Sequence, residues 1–259
     1  MHHQSLLDSN YQVTLCACFN MNAQTFKRKI ETEAERALEQ LDSDEFLRAA
    51  AGGEPTTQTL LETAAASEHA AAITFETWIS DESDTDVKIA FESVVEQERT
   101  HYDRVTAAMD AIIKSDGDSS NSSGGYDIDQ KVHTQEPPGP MHAYLRERET
   151  TIQRIASGMV GRPLASLRTH AQLISFFESH SGTSVDNSGG DIVPEAQENP
   201  AAALFTDLFE ETEKVLDDGL ELLTTRCTTE VDRNAAIAVA TYTIRLAADD
   251  TRDMLASMS

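Results

Sequence analysis

Cysteine is scarce and poorly spaced for metal or redox work. Cys16, Cys18 and Cys227 are the only three in 259 residues, and no Cys-x-x-Cys pair occurs. That excludes a four-cysteine iron knuckle and any disulfide framework. Lysine is scarcer than the length suggests: six, at positions 27, 29, 88, 114, 131 and 214, beside fourteen arginines. Against these 20 basic residues stand 45 acidic ones, for a formal net charge of −25. No basic patch interrupts the acidity, which argues against nucleic acid or an anionic membrane surface as a partner. No run of about 18 apolar residues exists, so no membrane span is expected. No positively charged region precedes an apolar run at the N-terminus, so no secretory signal is expected and a cytoplasmic location is.

What is present is a helical hairpin between Leu60 and Ile112. Leu61, Ala65, Glu68, Ala72, Phe75 and Ile79 fall on one stripe at alternating steps of four and three, the seam of a helix packed against partners. Val87, Phe91, Val94, Glu98, His101, Val105 and Ile112 form a second seam. Both are apolar except at the middle. The acidic turn Asp81-Glu82-Ser83-Asp84 separates them, and Glu68 and Glu98 each lie fifteen residues from Ser83. Equal distances from the turn of an antiparallel hairpin put two residues at one level, here roughly 20 Å from the loop. His101, three residues after Glu98, points toward the same space. Two carboxylates facing each other in an apolar interior repel and are costly to desolvate. A cation removes both problems, and two carboxylates with an imidazole suit iron, manganese or zinc. The alternative is a hydrogen-bonded polar cluster that binds no metal.

The phrases Ala66-Ser67-Glu68-His69-Ala70-Ala71 and Glu96-Gln97-Glu98-Arg99-Thr100-His101-Tyr102-Asp103-Arg104-Val105 resemble the rubrerythrin branch of the ferritin-like superfamily, in particular its acidic haloarchaeal members. The resemblance is strongest over residues 57–113. It extends more loosely from Met21 onward, through Met159-Val160-Gly161-Arg162-Pro163-Leu164. It implies an all-α fold, a ferritin-like four-helix bundle with one or two additional helices. It also implies an iron site held by Glu68, Glu98 and His101, with a small oxidant such as peroxide or dioxygen, or an electron donor, as partner. Ferritin-like bundles often pair, so a homodimer is a further expectation. Missing from the pattern is the rubredoxin-like knuckle, which leaves electron delivery to another molecule. The acid-rich, lysine-poor composition is likewise similar to that of proteins from salt-loving archaea. At molar salt the Debye length is about 3 Å, so self-repulsion of this kind is screened.

The rest of the chain reads as follows. Residues 1–20 fit no template and are expected to be a loose extension ahead of a helical domain over 21–259. His2, His3, Cys16 and Cys18 lack recognised ligand spacing. Phe26, Ile30, Ala34, Ala37, Leu38 and Leu41 mark an amphipathic helix from Ala23 toward Ala51, stopped by Gly52-Gly53. His69 lies about 100° round the helix from Glu68, Glu76 and Glu96 are outer candidates, and Tyr102 either packs or donates to a site carboxylate. Phe75 and Trp78 read as core. Flexible linkers are expected at about 115–140 and 181–199. Between them a helix from Met141 to about Ser157 should break at Gly161-Arg162-Pro163, and the next should carry the stripe Leu164, Leu167, Ala171, Ile174, Glu178. There His170 and Glu178 are candidate ligands, though ordinary polar flanks explain them better.

Helices at about 201–226 and 229–257 complete the chain. A second Glu-x-x-His is absent because no histidine follows His180. Glu211 lies on an apolar stripe, and reflection through a turn near Thr228 places it opposite Arg245. The expectation is a Glu211–Arg245 ion pair in place of a second metal half-site, leaving a mononuclear or degenerate centre. A non-catalytic bundle acting by association is the competing reading. Hydroxylation of an organic or RNA substrate fits the charge least well.

Overall fold

The structure, a computed structural model, describes residues 21–115, 139–180 and 199–258. The expected N-terminal extension and the bodies of both linkers fall on residues 1–20, 116–138 and 181–198, outside the described residues. The described residues are helical and form an all-α bundle: α1 (Ala23–Glu33), α2 (Glu35–Leu41), α3 (Asp44–Ala50), α4 (Thr57–Asp81), α5 (Thr85–Ser115) and α6 (Pro140–Arg146). Then come α7 (Thr151–Arg154), a π-helical segment (Ile155–Gly161), α8 (Arg162–Ser179), α9 (Pro200–Arg226) and α10 (Glu230–Met258).

Local chemistry sets the boundaries. The Asn22 side chain accepts from the Thr25 amide at 2.9 Å and starts α1, a side-chain cap for an otherwise orphaned donor. Thr56 and Thr59 cap each other's backbone at the start of α4. Gly52, with φ of +65°, ends α3 in the left-handed conformation that costs a residue with a Cβ. The first amphipathic stretch is therefore three short helices, turning at Ala34 and Asp42–Ser43. One buried face persists through Phe26, Ile30, Ala34, Leu38 and Leu41.

The hairpin of α4 and α5 turns at Glu82–Asp84, where expected. Glu82 is buried in that turn and its carboxylate accepts from the Asp84 amide and the Thr151 hydroxyl, both at 3.0 Å. Asp84 is paired with Arg226 of α9 at 2.7 Å.

The break expected at Gly161-Arg162-Pro163 is not there. The chain interrupts its helix earlier, at Glu147–Thr150, then runs from Thr151 to Ser179 through the π-helical segment. Pro163 sits in the first turn of α8, where its missing N–H is tolerated, so the Gly-Arg-Pro sequence is threaded rather than broken. All seven π-helical residues are buried. A Cβ on Gly158 would stand 2.6 Å from Cζ3 of Trp78, and one on Gly161 would stand 2.7 Å from the Ala240 carbonyl oxygen. The absence of side chains there lets α4 and α10 close on the segment.

The buried stripe of α8 also differs from expectation. It is Leu164, Leu167, His170, Leu173 and Phe177, whereas Ala171 and Glu178 face outward. The real face lies about one residue earlier: Ala171 is exposed, and Ile174 packs only at the edge of that face, half-buried.

The apolar interior is in two parts. One cluster, around Phe75, Trp78, Phe91, Met159, Leu220 and Ile244, lies toward the 82–84 turn. The other, around Leu61, Val105, Leu173, Phe177 and Phe205, lies at the opposite end. A layer of buried polar side chains separates them.

Candidate metal centre

Glu68, Glu98 and His101 meet in that layer, with exposures of 5 %, 1 % and 1 %. One ligand atom from each lies within 4.8 Å of the other two. Nδ1 of His101 stands 3.7 Å from Oε2 of Glu68. α4 supplies the first carboxylate at the level of the second on α5, as equal spacing from the turn dictates, and one further helical turn supplies the imidazole.

Other elements contribute what the sequence did not assign. Arg162, at the start of α8, is buried and donates from Nη1 to Oε2 of Glu98 at 3.4 Å and from Nη2 to Oε1 in a shorter contact. His170, two turns further on, is buried with Nε2 3.7 Å from Oε1 of Glu68. Two imidazoles thus flank the two oxygens of Glu68. Nδ1 of His170 has no hydrogen-bond partner. His142 of α6 is also buried, its Nδ1 equally unpartnered. Burial, reinforced by the charges of Arg162 and Arg146, pulls its pKa down to about 3 and keeps it neutral. His170 was visible as a candidate, but a stripe drawn one residue off made it a flank. Arg162 was hidden in what looked like a helix break. No periodicity singles out His142.

Glu211 is at the site in a different role from the one expected. Its Oε2 lies 2.7 Å from Nε2 of His101, and its carboxylate accepts from Nη1 of Arg104 at 3.1 and 3.3 Å. Arg245 instead donates to the Glu33 carbonyl at 2.9 Å, so the expected Glu211–Arg245 pair does not form. The reflection through Thr228 assumed that α9 and α10 face each other along the Glu211 stripe. Glu211 faces α5. Glu178 and Glu96 are exposed, Glu76 is paired with Arg99 at the surface at 2.7 Å, and His69 lies against the ring of Tyr102 at 5.5 Å.

The electrostatics follow from two acids sharing a dry space. Burial pushes the Glu98 carboxyl well above its ordinary range, Arg162 opposes it, and the neighbouring Glu68 carboxylate pushes it further up. Burial would raise Glu68 too, but Glu98 and the imidazoles of His101 and His170 beside it hold it well below. Two close carboxylates in that space resist ionising together, and Arg162 offsets part of their charge.

A divalent ion can compensate the charge that remains. Bonds of about 2.0–2.2 Å from one ion reach two donors up to about 4.2 Å apart; each imidazole lies within that span of one Glu68 oxygen, His101 of Oε2 and His170 of Oε1. Oxygen and imidazole donors are those preferred by iron, manganese and zinc. Two buried acids and an imidazole with ligand atoms within 4.8 Å of one another could hold such an ion.

No protein-family model matches the chain, and no match to it is found among curated proteins or solved structures. Among the described residues no helix is long and apolar enough to cross a membrane.

Proposed function

We propose that this chain is an iron-binding protein of the ferritin-like, rubrerythrin-like kind that reduces a small oxidant, peroxide or dioxygen, at a partial carboxylate and histidine centre. The observation that carries this reading is the convergence of Glu68, Glu98 and His101 on one buried point. Glu68 and Glu98 anchor the ion, and His101 supplies its nitrogen. Bound iron would pass electrons one at a time from a reducing donor to the oxidant. The chain's own residues exclude bulk water through the two apolar clusters, fix His101 through Glu211, and offset the charge of Glu98 through Arg162. A π-helical segment beside the pocket is a further pointer, since such turns are frequent at functional sites. The acidity disfavours nucleic acid as a partner, and a homodimer in the cytoplasm is the expected form.

The test is metal analysis of the full chain purified in high salt. Stoichiometric iron or manganese that is lost in Glu98→Ala and His101→Ala supports the reading, and peroxide consumption by the iron-loaded protein is the next measurement. One observation favours a second reading. Arg162 already neutralises Glu98, so a metal-free bundle that acts by association has part of its polar layer satisfied. Metal-free protein whose stability does not respond to added iron or manganese would decide for it.

A further inference from the structure

The Arg162–Glu98 contact and the placement of His170 bear on how many ions the pocket takes. Both oxygens of Glu98 face the Arg162 guanidinium. The arginine is 3 % exposed, and its Cζ lies 5.9 Å from the Phe75 ring centroid. It stands on α8, across the pocket from α4, with a permanent positive charge. On the opposite side, Glu68 faces His101 and His170 at 3.7 Å each, from α5 and α8. One half of the pocket therefore offers a carboxylate between two imidazoles, and the other half already holds a cation.

We propose that the pocket is a one-ion centre in which His170 supplies the second imidazole and the Arg162 guanidinium stands where a second ion would otherwise bind. This rests on the metal-binding reading and specifies its ligand set and stoichiometry. Charge supports it. Glu68, Glu98 and Arg162 sum to about one negative charge when both acids are ionised, so one divalent ion leaves about one net positive charge. A second would add two more to a space sealed from water, where uncompensated charge is most costly. His170 meets the requirement for a ligand rather than a core histidine. It is 4 % exposed, and its Nε2 faces the carboxylate that must anchor the ion.

The experiment titrates the full chain with Mn²⁺ alone in high salt, reading stoichiometry by metal analysis and nitrogen coupling by pulsed electron paramagnetic resonance. Wild type should bind one ion coupled to nitrogens of two imidazoles. His170→Ala should show coupling to one and bind at least about tenfold more weakly, a loss that even outer partners of a metal can cause. Arg162→Gln should bind two ions. Two ions in wild type, or a His170→Ala spectrum and affinity equal to wild type, overturns the proposal while leaving metal binding standing. No Mn²⁺ bound by wild type overturns both. Should Arg162→Gln fail to fold, the wild-type stoichiometry and the His170→Ala spectrum still decide.

Discussion

Nε2 of His101 lies 2.7 Å from Oε2 of Glu211, and through that carboxylate the buried imidazole is tied to Arg104 at the edge of the bundle. A carboxylate only accepts, so Nε2 carries the proton and the lone pair of a neutral ring lies on Nδ1, facing Glu68. Burial works to raise the Glu211 carboxyl, but the His101 hydrogen bond and the Arg104 guanidinium hold it below its ordinary value. It is therefore ionised wherever the site is in use. This is how outer partners fix the tautomer and orientation of a metal-binding histidine.

Removing that charge should loosen the ion without unfolding the chain. Glu211→Gln retains the shape of the side chain and is partly exposed, so its melting temperature in high salt should change little. Affinity for Mn²⁺ should fall by about 10–100-fold, measured by competition with a chelator. Unchanged affinity would mean that His101 is oriented by packing alone.

His142 should make the metal-free protein acid-sensitive. Folded, it stays neutral down to about pH 3, whereas an ordinary histidine titrates near 6.5. Between those values the unfolded chain binds the extra proton, so this contribution is complete above pH 6.5 and is lost as pH falls below it. The slope approaches about 1.4 kcal/mol per pH unit. Denaturant titrations at pH 7 and pH 5 should show a smaller pH dependence in His142→Leu than in wild type. Equal slopes would show that His142 is solvated.

Gly158→Ala tests the close packing of the π-helical segment. The new Cβ would meet Trp78 at 2.6 Å and Phe75 at 2.9 Å, both fully buried rings. Overpacking of that kind costs about 1–3 kcal/mol, so thermal melting should occur at lower temperature. A wild-type melting temperature would show that the rings yield freely.

Salt should stabilise the fold. With a net charge of −25, lowering ionic strength lengthens the range of self-repulsion from about 3 Å at 1 M to about 10 Å at 0.1 M. Melting followed by circular dichroism should move to higher temperature with added KCl. Insensitivity to salt would remove the argument that the acidity suits a concentrated medium.

The hairpin was legible because its information is local. Periodicity sets which face of α4 and α5 is buried, the acidic turn sets where they fold back, and equal spacing from Ser83 sets Glu68 level with Glu98. The same reasoning located the helices at Pro200–Arg226 and Glu230–Met258 to within a residue at most bounds. It failed at Gly161–Pro163, where local residues that usually end a helix were overruled by burial among α4, α9 and α10.

By itself, then, the sequence determined an all-helical chain, its acidity, and three ionisable groups brought to one level of a hairpin, because each follows from residue type and spacing along one or two adjacent helices. Only the tertiary structure decided that Arg162 and His170 close on Glu98 and Glu68, and that Glu211 faces His101 rather than Arg245. Those contacts join helices distant in sequence, and their rotation about their own axes is fixed by what packs behind them, which no repeat along the chain records.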